Sequence, residues 1–143
     1  MIVIIFFINF FITILLGAMV FFMAVVSPSV FATLNSDYSS KFLRKIFPRM
    51  FLFGFILSAL ALCLTILLTD ILSSLLLLFV AFSFIANRNY LTPKINQLRD
   101  EELEGNQLAV TLFKRMHLLS VLLFVLNFVL LISIMVINYY NYN

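Results

Sequence analysis

Four apolar runs, separated by two long mixed-polar stretches and one very short break, make up the pattern of this chain. The first run, Ile2 to Val26, measures roughly 37 Å as a helix at 1.5 Å per residue, which crosses a hydrocarbon core of about 30 Å with some tilt. A cleaved signal peptide is the competing reading, but the run lacks a basic leading region and exceeds the usual apolar length of about 7–15 residues. Ser27-Pro28 is expected to end this helix. Along it Asn9, Thr13, Gly17 and Ala24 share one face, where small or hydrogen-bonding side chains let a neighbouring backbone approach.

Between Pro28 and Arg49 the apolar residues Tyr38, Phe42, Leu43, Ile46 and Phe47 alternate at helical spacing with Ser39, Ser40, Lys41, Arg44 and Lys45. That pattern predicts a short amphipathic helix lying in the membrane interface, its cations facing headgroups. Pro48 suits the first turn of the next helix. The second run, about 47–68, phases Gly54, Ser58, Ala61, Thr65 and Thr69 onto one side for close packing. Thr69-Asp70 is a very short connection, so the third helix returns antiparallel beside the second, with Asp70 as its N-cap.

The third run, about 71–91, ends in Asn87-Arg88-Asn89-Tyr90-Leu91-Thr92-Pro93, the densest polar passage of the chain. Thr92-Pro93 is expected to open a separate charged helix that stops at Gly105-Asn106. The fourth run, about 108–138, carries His117, Ser120, Asn127 and Asn138 within a sector of roughly 80° at about 100° per residue. Lipid tails satisfy neither an imidazole nor an amide, so that sector is expected to face protein. The tyrosines of Asn138-Tyr139-Tyr140-Asn141-Tyr142-Asn143 match an interfacial aromatic belt.

Composition narrows the picture. The 143 residues are 64% hydrophobic and 10% charged, with a mean hydropathy of +1.18, which leaves no room for a soluble catalytic domain. The expected fold is an all-α membrane protein, a four-transmembrane-helix bundle with short amphipathic cytoplasmic segments, forming one transmembrane domain over 1–143. The net charge of +3 does not point to nucleic acid, because all nine Lys and Arg lie in or beside two connections. The short second connection and both termini hold none, which predicts that both termini lie outside the cytoplasm, in a multi-pass protein of the cell (inner) membrane.

With these residues in view, the chain resembles the transmembrane protein 205-like family, also catalogued as a domain of unknown function of the DUF4149 type. The resemblance rests on Gly17 and Phe22, then Pro28, Phe31 and Leu34, then Phe47-Pro48, Asn87 with Pro93, and finally Phe113, His117 and Ser120, in that order over most of the chain. It implies a multi-pass membrane protein of unsettled activity. Animal members are associated with resistance to platinum drugs and with suggested export; they carry a long insertion after the third helix, where this chain has only Lys94 to Gln107.

Candidate chemistry is sparse. His117, the single histidine, has the chemistry of a proton carrier or ligand, against the plainer reading of an interhelical hydrogen bond to Asn87 or Tyr90 at the same depth. One histidine excludes bis-histidine haem ligation within one chain, and a methionine partner would have to be Met19, Met23, Met50 or Met135. Met19, Met23 and Cys63 form a conceivable soft-metal route, although methionine in such helices is usually filler. Asp100, Glu101, Glu102 and Glu104 lack the alternating spacing and central glycine of a calcium loop and read as a solvated helix face. No catalytic residue, metal site or cofactor is expected, and the protein is expected not to be an enzyme.

The leading expectation is transport or export of a small solute or ion through a polar interior of Asn9, Thr13, Asn87, Tyr90, His117, Ser120 and Asn127, with Gly17, Gly54, Ser58 and Ala61 packing the helices. Four helices enclose little space, so such a transporter would need to be a homo-oligomer. The alternatives are a structural or assembly subunit with a membrane-protein partner, and a membrane oxidoreductase. In each case the lipid bilayer is the surrounding partner.

Overall fold

The computed structural model describes residues 1–142, so the closing Asn143 of the predicted aromatic belt lies outside the described residues. Four helices carry nearly all of it: α1 Ile2–Thr33, α2 Ser36–Leu67, α3 Ile71–Leu103 and α4 Gln107–Tyr142, each long and apolar enough to cross a membrane. The connections between them span two or three residues, so consecutive helices run antiparallel as neighbours. α1 packs on α2, α2 on α3, α3 on α4 and α4 back on α1, which closes a ring; among the described residues the backbones of the diagonal pairs do not run beside one another.

Local chemistry explains the starts of α2, α3 and α4 and the end of α3. Asn35 caps α2 by accepting from the Tyr38 amide at 3.1 Å. Asp70 caps α3 as predicted, accepting from the Ser73 amide at 3.1 Å and its hydroxyl at 2.8 Å. Thr69 holds a left-handed conformation at φ 55 to make that tight reversal. Gly105, at φ +94, ends α3, and the Asn106 side chain accepts from the Leu108 amide at 3.1 Å to start α4.

Three expected helix breaks are absent, and two share a cause. Ser27-Pro28 does not end α1, nor does Thr92-Pro93 begin a new helix after α3. Instead a π-helical turn precedes each proline, at Phe22–Val26 and Asn87–Leu91. In each, the residue just before the proline donates its amide five residues back, Ser27 to Phe22 and Thr92 to Asn87. The wider turn absorbs the clash between a proline ring and the preceding turn, so the helix bends past the proline and continues. The third missing break is that before Pro48, which lies inside α2. The amphipathic segment from Tyr38 to Phe47 is therefore the first part of α2 and not a separate interfacial helix. Lys41 and Lys45 in that segment are exposed, and Pro48 leaves a carbonyl one turn earlier without its helical donor.

The core is apolar and central. Ile8, Ile12, Leu15 and Met19 of α1 meet Phe51, Leu57 and Ala61 of α2, Leu77, Val80 and Phe84 of α3, and Leu131 and Ile134 of α4. Close approach of α2 to α3 depends on Gly54: a Cβ there would lie 2.8 Å from the Phe84 ring.

Candidate functional site

The polar side chains inside the bundle pair with one another across helix boundaries. Ser120 on α4 donates to Asn87 Oδ1 on α3 at 2.6 Å, and the Asn87 amide donates to the Ser83 carbonyl at 3.2 Å. Lower on the same seam Asn127 donates to Ser83 Oγ at 3.0 Å. Its own Oδ1 is buried without a partner among the described residues. At the far end Asn138 on α4 donates to Asn9 Oδ1 on α1 at 2.9 Å. Asn87, Asn127 and Asn138 are buried, and Asn9 is half-buried. These contacts tie α3 to α4 and α4 to α1 by direct bonds, which a lipid surface cannot supply.

Ser83 belongs to this network although it does not stand among the interior candidates read from the sequence, whereas Asn138 lies on the sector of α4 expected to face protein. Ser83 leaves a weak signal, a lone hydroxyl one turn before Asn87 on the same face. The remaining candidates fall elsewhere. Thr13, Gly17 and Ala24 are exposed on α1, and a Cβ at Gly17 would meet nothing within 4 Å. The buried face of α1 is instead the bulkier row Ile8, Ile12, Leu15 and Met19. Lipid is as apolar as that row, so hydropathy could not choose between the two faces. Gly54, Ser58 and Ala61 are buried as expected; the Ser58 hydroxyl returns to the Gly54 carbonyl at 2.7 Å.

His117 and Tyr90 are both exposed, and neither bonds Asn87. Ser120 takes that place because His117, three residues earlier, lies about 60° round the helix from it. Tyr90 is turned away by the extra residue of the π-turn that contains it. Met19 is a core residue, whereas Cys63 faces outward.

The position of His117 draws attention to a cavity of about 820 Å³ at the basic end of the bundle. From Phe22 onward the backbone of α1 no longer runs beside α4 among the described residues, and the space opens where the two part. Its inner part is apolar, with Phe22, Met23, Phe47, Phe51, Phe124 and Val125. Its outer part carries Ser39, Ser40, Arg44, Asn96, Arg99 and His117. The Arg99 guanidinium lies 5.5 Å from the Phe113 ring centre, and that ring stacks on His117 at 5.9 Å, forming one wall. Thr92 and Ser120 lie between the two zones.

The facing wall is held by Arg44 of α2 and Asp100 of α3, joined by bonds of 3.0 and 2.5 Å. That hydrogen bond lowers the Asp100 carboxyl below its ordinary pKa and raises the Arg44 guanidinium above its own. Both groups stand beyond the apolar span, where screening by water keeps the pair modest.

The DUF4149 family model, a domain of unknown function, matches residues 10–104. The chain belongs to the DUF4149 family. That match takes in α1 from Phe10, all of α2 and α3, and most of the cavity's walls, while His117, Ser120 and Phe124 on α4 lie beyond it. The narrower likeness to transmembrane protein 205 remains a resemblance. Nothing matches this DUF4149 protein among curated proteins or among solved structures. Its architecture is that of a multi-pass membrane protein with four spans.

Proposed function

We propose that this is a non-enzymatic protein of the cell (inner) membrane, with both termini outside the cytoplasm, that takes a small solute into the cavity at its basic end for transport or export. The cavity itself is the observation that carries the reading. Its volume lies within the range of about 300–1,000 Å³ typical of ligand sites, and it combines an apolar floor with a few convergent polar groups. The predicted route along the polar faces takes a different form here: Asn87 and Ser120 occupy each other, so a solute passing inward from the cavity must break their bond. The nine basic residues at this end support placing it in the cytoplasm.

Thiol labelling tests the reading. In a Cys63→Ser background, Ser120→Cys is expected to react with a membrane-impermeant maleimide supplied from the cytoplasmic side, and not from the other side. A Ser120→Cys protein inert from both sides would overturn it.

A second reading, an assembly subunit, has one observation in its favour. Thr13, Gly17 and Ala24 leave a smooth exposed strip on α1, where a second copy or another membrane protein could approach closely. A stoichiometric partner retained through mild-detergent purification, and lost with Gly17→Leu, would favour it.

A further inference from the structure

The cavity is graded along the membrane normal, and the grading matches one class of molecule. α4 passes from Phe113 at the outer part to Val125 at the floor, about 18 Å at 1.5 Å per residue. Over that distance the walls change from cations, an amide and hydroxyls to aromatic rings and aliphatic chains. Arg44, Arg99 and His117 line the cavity, and among the described residues no carboxylate does. Around it, this end of the bundle holds nine Lys and Arg against five carboxylates.

The two arginines differ in what they have left to offer. Arg44 commits both terminal nitrogens to Asp100. Arg99 gives only Nη1 to Glu102, at 2.6 Å, so Nη2 and Nε keep their donors while Phe113 holds the guanidinium against the cavity wall. Asn96 lies one turn before Arg99 on the same face of α3. A planar fork with free donors beside a carboxamide suits phosphate oxygens. Beyond Phe22 the backbones of α1 and α4 part, and the cavity lies between them.

We infer that the cavity admits an anionic phospholipid of the surrounding leaflet, its phosphate at Arg99 and Asn96 and an acyl chain on the floor formed by Phe47, Phe51 and Phe124. This rests on the preceding reading that the cavity receives a ligand, and it adds the ligand's class. A zwitterionic lipid would bring a second cation towards Arg44, Arg99 and His117, which lowers its fit. One cation near an anionic lipid surface is worth a factor of about five in binding.

The test uses the absence of tryptophan from the chain. The full-length protein carrying Phe124→Trp at the floor, or Phe47→Trp should the first fail to fold, is placed in phosphatidylcholine nanodiscs. These contain the same small share of brominated-acyl phosphatidylglycerol or brominated-acyl phosphatidylcholine. Leu122→Trp, on the exposed face of α4 outside the cavity, reports bulk lipid.

The expected result is stronger quenching at the floor by the anionic lipid, an enrichment of about fivefold, equal quenching by both lipids at Leu122→Trp, and loss of the preference with Arg99→Gln. Equal quenching by both lipids at the floor overturns the anionic assignment and leaves the cavity open to other ligands. A floor tryptophan quenched by neither overturns lipid entry altogether, while reactivity of Ser120→Cys independently decides whether the cavity takes up water-soluble molecules.

Discussion

Gly54 and Gly17 look alike in sequence, each a glycine within an apolar helix, yet their neighbours make them opposites. At Gly54 an added Cβ would strike the Phe84 ring, and that ring is wedged in the core. Gly54→Ala is therefore expected to destabilise the bundle by about 1–3 kcal/mol, the usual cost of overpacking. Gly17→Ala adds a methyl to open space and gains up to about 1 kcal/mol of helix propensity. Thermal unfolding in mild detergent compares the two directly. The same assay separates Ser120 from His117: Ser120→Ala leaves Asn87 Oδ1 unpaired and is expected to cost about 0.6 kcal/mol, at most about 1.7. His117→Ala, at an exposed position without a hydrogen bond among the described residues, should leave the midpoint where it was. Asn9 and Asn138 should couple by a similar amount in a double-mutant cycle.

At the scale of the helix, π-turns and one ion pair shape the basic end. Because each π-turn accommodates a proline, Pro28→Ala and Pro93→Ala should let the preceding turns tighten towards regular α-helix, visible as increased amide protection over 22–26 and 87–91. The Arg44–Asp100 pair joins α2 to α3 beyond the membrane. Its carboxylate has a lowered pKa in the folded protein, so its contribution is complete above the unfolded carboxyl value of about 3.9 and fades as pH falls through the lower folded value. The midpoint difference between the natural protein and Asp100→Asn should thus persist at neutral pH and vanish in strong acid. Helix type and the number of spans were legible in the chain, and so were the caps at Asp70 and Gly105. Continuity through Pro28, Pro48 and Pro93 was not, because a proline signals a missing donor and a crowded turn without saying whether the helix stops or bends.

For the whole molecule, the expected orientation gives a reporter fused after Gly105 activity in the cytoplasm, and one fused after Tyr142 activity outside; the reverse pattern would place the cavity in the other leaflet. By itself the sequence determined a four-span membrane bundle, its short reversal at Thr69-Asp70 and the clustering of all its cations at one end, since hydropathy and charge act residue by residue against the fixed thickness of a bilayer. It also marked Asn87 and Asn127 as inward-facing, because lipid offers a carboxamide no partner, whereas a hydroxyl such as Ser58 can turn back to its own helix. Only the tertiary structure decided which apolar face of α1 is buried, because hydrocarbon outside and hydrocarbon inside are the same solvent to isoleucine and glycine. It alone also decided that α1 and α4 meet at Asn9 and Asn138 and separate beyond Phe22. That separation depends on how α1, redirected at its π-turn, crosses the uninterrupted α4, a property of the pair which neither helix carries in its own residues.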